Sequence, residues 1–183
     1  MEKISDKTPI PQSQSGKKLV LIRHAKSSWG DASLDDFDRP LNPRGFRDAP
    51  DMGQRLAEKH QVPDHFAASP AARAWATAEI IAQAWNFPVT SLQVVKEAYE
   101  ASSSTLIELV RHFPAEAHSA ALTAHNPGIT RTINLLAGIR IFNVPTCGVA
   151  VLQFPVDRWT SIEVGTAELI EYDFPKNRPT EDP

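Results

Sequence analysis

The sequence predicts an α/β protein, a three-layer α/β/α sandwich whose central sheet is mostly parallel and becomes antiparallel toward the C-terminus. Short apolar runs alternate with longer helix-forming segments, which is the pattern of parallel strands covered by helices on both faces. The last third of the chain changes to strand-like segments alone. The part that carries this pattern, residues 17–174, has the length of one domain.

Polar segments flank this unit at both ends of the chain. Residues 1–16 and 175–183 contain several prolines and few apolar side chains. Such segments bury too little apolar surface to offset the entropy that folding costs. We therefore expect a disordered leader over residues 1–16, a single domain over residues 17–174 and a flexible tail over residues 175–183.

The predicted strands are short apolar runs bounded by polar residues. Residues 19–22 (LVLI) form the clearest run, which is typical of a strand buried on both faces of a parallel sheet. Shorter runs predict strands over residues 65–68 and 119–123. The segments that predict an antiparallel finish are residues 148–154, 159–164 and 168–174.

The predicted helices are residues 70–85, 103–112 and 128–137. Ser69 suits the N-cap of the first, and Pro70 suits its first helical position. Gly138 suits a C-cap after the last. In the segment of residues 42–59, Pro43 suits a first helical turn, but Pro50 would break or kink a helix that already includes it. We therefore expect that helix to begin near Asp48.

Composition and charge exclude several classes of protein. The chain has 19 basic and 22 acidic residues, whereas nucleic-acid-binding domains usually carry a basic excess. It has no apolar stretch of the roughly 20 residues that cross a bilayer and no apolar secretory signal. We therefore expect a cytoplasmic protein without nucleic-acid or membrane partners. Because Cys147 is the only cysteine, the sequence predicts no intrachain disulfide and no metal site built from cysteines. We also expect no other metal and no cofactor.

Three polar clusters follow three of the predicted strands. Arg23 and His24 follow the first, Ser69 with Arg73 follows the second, and His125 follows the third. Ligands of open α/β sheets bind outside the carboxyl ends of the strands. We therefore expect two arginines and two histidines to lie together at this edge of the sheet, in a ligand-binding crevice that we call the mouth.

These residue types suit phosphoryl transfer. The planar guanidinium groups of Arg23 and Arg73 match phosphate oxygens and stay charged. Their charge favours a neutral His24 imidazole, which can attack phosphorus and form a phosphohistidine that water then hydrolyses. His125 is suited to donate a hydrogen bond to a non-bridging oxygen. The sequence thus predicts a metal-independent phosphatase with His24 as its nucleophile.

Each of these residues also has an ordinary structural explanation. A histidine after a strand is often only hydrogen-bonded, an arginine on a helix is often solvated, and residues 125–128 (HNPG) suit a turn. The joint placement at three strand ends is what favours a catalytic site.

Charged residues also lie between the first strand and the next helix. Asp35, Asp36 and Asp38 form an acidic loop that we expect to be solvated rather than to hold a cation. For Arg39 and Arg44, close to that loop, two interpretations stay open. They bind a second anionic group of the substrate, or they pair with the aspartates.

Four segments, in this order, resemble blocks of the histidine phosphatase superfamily, also called the phosphoglycerate mutase-like family. They are residues 21–26 (LIRHAK) for the Arg-His-Gly signature, 40–45 (PLNPRG) for a Pro-Leu-Thr-x-x-Gly segment, 69–78 (SPAARAWATA) for the second block and 124–128 (AHNPG) for the third. Ala25 in place of glycine and residues 26–29 (KSSW) resemble the SixA-like phosphohistidine phosphatase branch. The resemblance covers roughly residues 17–174.

The resemblance implies roles for the residues of the expected mouth. His24 becomes the phosphorylated nucleophile, and Lys26 and Asn126 become candidates for the rim of the pocket. The residues that complete the phosphate pocket are Arg23, Arg73 and His125. Family members that act on alkyl esters usually carry an acid in a Leu-x-Glu segment, which here aligns with residues 98–100 (AYE) and nominates Glu100, with Glu97 as the alternative. SixA-like members often lack a well-placed acid.

Three functions are compatible with this sequence. The first is a phosphatase for phosphohistidine or a phosphoprotein. The second is a phosphatase or mutase for small phosphorylated metabolites, and the third is a weakly active phospho-binding module. The intact set of arginines and histidines argues against the third. The short interval between Glu100 and the third block, residues 101–124, leaves no room for a substantial lid and argues against the second.

Overall fold

Six strands form one sheet in the computed structural model, which describes residues 16–177. The strands are β1 Lys17–Arg23, β2 His65–Ala68, β3 Gln93–Val94, β4 Ser119–Ala124, β5 Val149–Phe154 and β6 Glu168–Asp173. The helices are α1 Pro43–Lys59, α2 Ala72–Ala84, α3 Ser103–Arg111 and α4 Gly128–Ala137. Residues 1–15 of the expected leader (residues 1–16) and residues 178–183 of the expected tail (residues 175–183) lie outside the described part of the chain.

The sheet order is β3-β2-β4-β1-β5-β6. The first four of these strands pair in parallel, whereas β5 pairs antiparallel with both β1 and β6. The predicted parallel sheet with an antiparallel C-terminal part is therefore confirmed.

Strand β1 lies inside the sheet and separates two apolar clusters. Leu19 and Leu21 pack on the side of α3 and α4, whereas Val20 and Ile22 pack on the side of α1 and α2. Side chains of a strand alternate between its faces, so an unbroken apolar run contributes side chains to both clusters. This arrangement confirms the predicted three layers.

Helix α1 begins earlier than the sequence predicts. The Asn42 side chain accepts a hydrogen bond from the Gly45 amide at 2.9 Å, and Pro43 occupies the first helical position. Pro50 lies inside the helix but on its exposed side, where water can satisfy the carbonyl that proline leaves unpaired. The expected start near Asp48 is therefore wrong. Capping by Asn42 and burial of one helix face outweigh the loss of the backbone hydrogen bond that Pro50 cannot donate.

Two further predictions of local structure are wrong. Helix α2 begins at Ala72, and Ser69 is not its N-cap because its side chain bonds elsewhere. Residues 159–164 form no strand among the described elements and contain only a 3-10 turn, Trp159–Ser161. The Trp159 ring is buried, and its Nε1 donates to the Ala117 carbonyl at 2.9 Å, so this segment anchors in the core instead of extending the sheet.

The end of α4 follows the prediction. Gly138 has a φ of 64°, in the left-handed region that favours glycine, and its amide donates to the Asn134 carbonyl. No helix within residues 16–177 is long and apolar enough to cross a membrane.

Candidate active site

Three parallel strands end side by side and place the predicted clusters together. His24 follows β1, Ser69 follows β2 and His125 follows β4. The His24 amide donates to Ala124 and the Ser69 amide to Thr123, which ties each strand end to its neighbour. The rings of His24 and His125 lie 5.1 Å apart between centroids. A cavity of about 200 Å³ opens here, lined by Arg23, His24, Lys26, Ser27, Trp29, Arg39, Arg73 and Thr146.

The hydrogen bonds of His24 define its tautomer. Its Nδ1 lies 2.7 Å from the Ala25 carbonyl oxygen, which can only accept, so Nδ1 carries the hydrogen. Nε2 therefore carries the lone pair, which accepts a long hydrogen bond from Arg73 Nε, with 3.4 Å between the two nitrogens. Burial, supported by the nearby charge of Arg73 and Arg23, lowers the pKa of His24 to about 3. His24 is thus a neutral imidazole near pH 7, with its basic lone pair on Nε2.

Thr77 connects the turn after β1 to helix α2. Its hydroxyl accepts a hydrogen bond from the Ala25 amide at 2.9 Å and donates to the Arg73 carbonyl at 2.6 Å. The same Ala25 residue holds His24 through its carbonyl. Thr77 therefore fixes the distance between the histidine and the arginine, a role that sequence reasoning missed although Thr77 lies in one of the four blocks.

Glycine at position 45 allows a close approach behind the site. A Cβ at Gly45 would lie 2.3 Å from the Lys26 carbonyl oxygen, which is too close for any side chain. The neighbouring Asn42 amide donates to the same carbonyl. The start of α1 thus packs directly against the segment that follows His24, which explains the glycine in the block of residues 40–45.

Arg23 has a donor without a partner. Its Nη1 donates to the Val144 carbonyl at 2.7 Å, while its Nε is buried and has no hydrogen-bond partner among the described residues. Burial lowers the pKa of the Arg23 guanidinium. A buried donor left unpaired is unfavourable, so a bound oxyanion would stabilise this arginine.

Arg73 projects from the first turn of α2 and is 6% exposed. Two of its nitrogens donate to one residue, Asp36, in the loop after β1: Nη1 to the backbone oxygen and Nη2 to the carboxylate oxygen Oδ2 at 2.8 Å. Asp36 is exposed, as expected for this acidic loop, but its pairing with Arg73 was not predicted from the sequence. Partial burial opposes the ionisation of Asp36, but hydrogen bonds from Arg73, Tyr99 and Arg39 outweigh it and lower its pKa to about 2.

His125 bonds to Ser69. Its Nε2 lies 2.7 Å from the Ser69 hydroxyl, which is fully buried, while Nδ1 is buried without a partner among the described residues. Burial is the main cause that lowers the pKa of His125 to about 4. The tyrosine ring of Tyr99 packs edge-on against the imidazole, with centroids 5.5 Å apart. Ser69 therefore orients a neutral His125 instead of capping α2.

The predicted rim residues differ in how far their side chains are already engaged. Asn126 donates to Asn143 and Val144 and accepts from Thr130, so it holds the start of α4. Lys26 lines the cavity, and its ammonium has no hydrogen bond to another described residue.

Arg39 also lines the cavity and is buried. It donates to the carbonyl of Ser28, the hydroxyl of Ser27 and the carboxylate of Asp36, and it lies 3.3 Å from the centroid of the Trp29 ring. Two interpretations of Arg39 were open: binding of a second anionic group of the substrate, or pairing with an aspartate of the acidic loop. Its contact with Asp36 agrees with the second. Arg44 donates to Asp48 and to Thr146.

The candidate proton donors lie outside the cavity. Glu100 is exposed, with a φ of 48°, and has no hydrogen bond to another described residue. Glu97 is exposed in a 3-10 turn, Lys96–Ala98. The side chain between them, Tyr99, contacts His125 and Asp36 instead. Cys147 is buried, and burial raises the pKa of its thiol, so its thiolate is disfavoured.

The two site histidines should make stability depend on pH. Their folded pKa values, about 3 and about 4, lie below the ordinary value of 6.5. Between pH 6.5 and about 4 the unfolded chain binds more protons, so the free energy of unfolding falls as the pH is lowered through this window. Urea unfolding at pH 7 and pH 4.5 measures this fall. A double variant, His24→Gln with His125→Gln, should show a smaller fall, and an equal fall in both proteins would contradict the assignment.

Comparison with known proteins gives concordant matches. The sequence model of the histidine phosphatase superfamily (branch 1) matches residues 19–134. An uncharacterized chloroplastic protein of Arabidopsis thaliana is 29% identical over 164 residues, which cover 85% of this chain and 75% of that protein. An uncharacterized protein of Mycobacterium tuberculosis is 30% identical over 165 residues, which cover 85% of this chain and all of that protein.

Solved structures show the same fold. SixA from Agrobacterium tumefaciens is 29% identical, with a TM-score of 0.75 over 87% of this chain and 99% of that chain. The protein histidine phosphatase SixA complexed with tungstate has a TM-score of 0.73 at 20% identity, over 86% of this chain and 97% of that chain. The family match spans more than half of the sequence, and SixA proteins share its architecture over nearly their whole length. The chain is therefore a phosphatase that belongs to the histidine phosphatase superfamily, in its SixA-like branch.

Proposed function

We propose that this phosphatase removes phosphoryl groups from phosphohistidine in proteins, without a metal ion, through a phosphorylated intermediate on His24. The observation that carries the proposal is the unprotonated Nε2 of His24, buried beside the guanidinium of Arg73 at the mouth of the sheet. A phosphoryl group placed there would meet a nucleophile and positive charge together.

The first step transfers the phosphoryl group to the enzyme. The Nε2 lone pair of His24 forms a bond to phosphorus while the phosphorus–nitrogen bond of the substrate breaks. The substrate ring, protonated on its other nitrogen, keeps that electron pair and departs as neutral imidazole. Arg23 and Arg73 stabilise the charge on the non-bridging oxygens. The unpaired Nε of Arg23 supports this assignment, because a phosphoryl oxygen would satisfy it. His125 has an unpaired buried Nδ1 and is our candidate for a further contact to the phosphoryl group.

The second step regenerates the free enzyme. A water oxygen attacks the phosphorus of phospho-His24, the phosphorus–Nε2 bond breaks, and the water proton leaves to solvent or to the released phosphate. Positive charge for both steps comes from Arg23, Arg73 and Lys26, which occupy the place that divalent cations take in metal-dependent phosphatases.

The leaving group favours phosphohistidine over alkyl phosphates. Imidazole has a free pKa of about 6.5 and departs with little help, whereas an alkoxide needs a positioned proton donor. Asp36 is the carboxylate that touches Arg73, and with a pKa of about 2 it is ionised and cannot donate a proton near pH 7. Glu100 remains our candidate donor for poorer leaving groups.

The shape of the mouth supports a substrate presented by a larger molecule. The cavity of about 200 Å³ is smaller than the roughly 300–1,000 Å³ pockets that enclose small organic ligands. Asn126, the residue after His125, borders a wider groove along α4, of about 440 Å³, with Arg131 and the fully exposed ring of Phe142. The protein histidine phosphatase SixA, solved in complex with tungstate, shares this fold.

A substrate panel in excess chelator tests the proposal. We expect kcat/KM to be highest for a phosphohistidine protein, lower for p-nitrophenyl phosphate and lowest for sugar phosphates, with no loss in EDTA. Far higher kcat/KM for a sugar phosphate would favour the small-metabolite alternative. Binding of phosphoproteins without turnover would favour a binding module, and activity that requires an added divalent metal would overturn the metal-free mechanism.

A further inference from the structure

The loop between β1 and α1 folds back over the cavity. Its ends are tied together by the pairing of Ser27 with Leu41 and by the hydrogen bond from the Ser28 amide to the Pro40 carbonyl. A 3-10 turn, Asp36–Asp38, lies within the loop and places Asp36 against the Arg73 guanidinium.

The contacts of Arg73 divide between two sides of its guanidinium. Nη1 and Nη2 donate to Asp36, whereas Nε donates toward the Nε2 of His24. A guanidinium has five N–H groups in a rigid plane, so two bonds to one residue on the Nη1–Nη2 edge fix its rotation. The edge that contains Nε remains directed at the nucleophile. Asp36 therefore occupies the side of Arg73 that a phosphoryl group on His24 does not need.

Asp36 is itself held in place from two directions. Arg39 Nη1 donates to its Oδ1 at 2.7 Å, and the Tyr99 hydroxyl donates to its Oδ2 at 2.9 Å. Arg39 is buried and anchored in turn by Ser27 and Ser28. The carboxylate thus joins a rigid loop to a catalytic arginine that is itself almost fully buried.

Charge gives a second reason for this arrangement. A buried guanidinium without a partner is strongly unfavourable, and such a side chain would turn toward solvent or another acceptor. Asp36 supplies the opposite charge from the outer side, and Arg39 shares that charge, so the repulsion between Asp36 and a bound phosphoryl dianion is reduced.

We propose that Asp36 is a positioning residue for phosphoryl transfer: its carboxylate and backbone oxygen clamp Arg73 so that the Nε edge of the guanidinium faces the phosphoryl group on His24. The inference rests on the proposed role of His24 and Arg73 but not on which phosphorylated molecule is the substrate. It gives the loop between β1 and α1 a part in catalysis that its acidic sequence did not suggest.

A double-mutant cycle with Arg73 tests this proposal. With p-nitrophenyl phosphate, Asp36→Ala is expected to lower kcat by about 10- to 100-fold, the range seen when a group that orients a ligating residue is removed. Asp36→Asn keeps an acceptor oxygen and should recover part of this loss. Asp38→Ala is the matched control, because Asp38 is exposed on the same turn and makes no side-chain hydrogen bond to another described residue.

The cycle separates positioning from other roles. On an Arg73→Ala background, Asp36→Ala should change kcat by less than about twofold, because a residue that acts through Arg73 has nothing left to orient. Binding of vanadate should weaken in Asp36→Ala, which tests the positioning of Arg73 independently of turnover.

Four outcomes would contradict the proposal or its basis. Tighter vanadate binding would mean that Asp36 competes with the substrate. An equally large fall in kcat on the Arg73→Ala background would mean that Asp36 does not act through Arg73. Either result, or wild-type kinetics in Asp36→Ala, overturns the proposal. Loss of the proposed nucleophile role would appear instead as a phosphoenzyme on a residue other than His24.

Discussion

Replacing His24 with alanine is expected to abolish the phosphoenzyme and to reduce turnover by about 10⁴-fold or more, the scale on which removal of a covalent nucleophile acts. The imidazole Nε2 is the atom that would bond to phosphorus, and its tautomer is set by the hydrogen bond from Nδ1 to Ala25. No water molecule held by the remaining arginines would reproduce a neutral nitrogen nucleophile fixed beside Arg73. The loss should therefore fall on kcat.

The measurement is acid-quench labelling with a radioactive phosphohistidine protein, together with steady-state rates. His112→Ala is the matched control, since His112 is exposed at the end of α3 and lies outside the cavity. It should keep full labelling. The His24→Ala protein should still bind vanadate weakly, because Arg23 and Arg73 remain. A label that survives in His24→Ala, or that maps to another residue, would contradict the assignment.

The site residues that could be predicted are those that directly follow the buried parallel strands. An apolar run such as residues 19–22 identifies a buried parallel strand, and the residue after it must then lie at the ligand-binding edge of the sheet. That reasoning placed His24 beside His125 although 101 positions separate them in the chain. The structure brings the two rings to 5.1 Å.

The contacts that could not be predicted are those made by side chains across loops. Asp36 reaches Arg73 over 37 positions, and nothing in an acidic loop distinguishes such a carboxylate from a solvated one. Ser69 followed by proline matches an N-cap, but a buried histidine partner competes for the hydroxyl more strongly than a helix amide does. At both positions, a partner that is distant in the sequence determines which hydrogen bonds the side chain makes.

Strand β3 and the start of helix α1 were not predicted correctly, because the local sequence gives a weak or misleading signal at both places. Strand β3 has only two residues, both exposed at the sheet edge, so no apolar run marks it. Pro50 marks a helix break in isolation, but its exposed position in α1 makes the missing hydrogen bond tolerable. Rules for single residues fail where burial of a whole helix face opposes them.

Replacing Arg73 with alanine is expected to lower kcat by about 10²–10³-fold, the scale for one donor to a charge that develops in the transition state. Its Nε lies 3.4 Å from His24 Nε2, the nitrogen that we propose as the nucleophile, so its charge lies close to the position proposed for the phosphoryl group. Arg73→Lys should recover little of the loss, because an ammonium cannot bond Asp36 and a phosphoryl oxygen through one rigid plane.

Stability and charge controls distinguish this effect from a general loss of structure. Arg73→Ala leaves Asp36 paired with Arg39 and 42% exposed at its side chain, so we expect only a small decrease in melting temperature. Arg158→Ala removes the same charge from an exposed arginine outside the cavity and should leave kcat unchanged. Full recovery of kcat in Arg73→Lys would show that Arg73 supplies only charge, and a planar clamp on the phosphoryl group would then be the wrong description of this site.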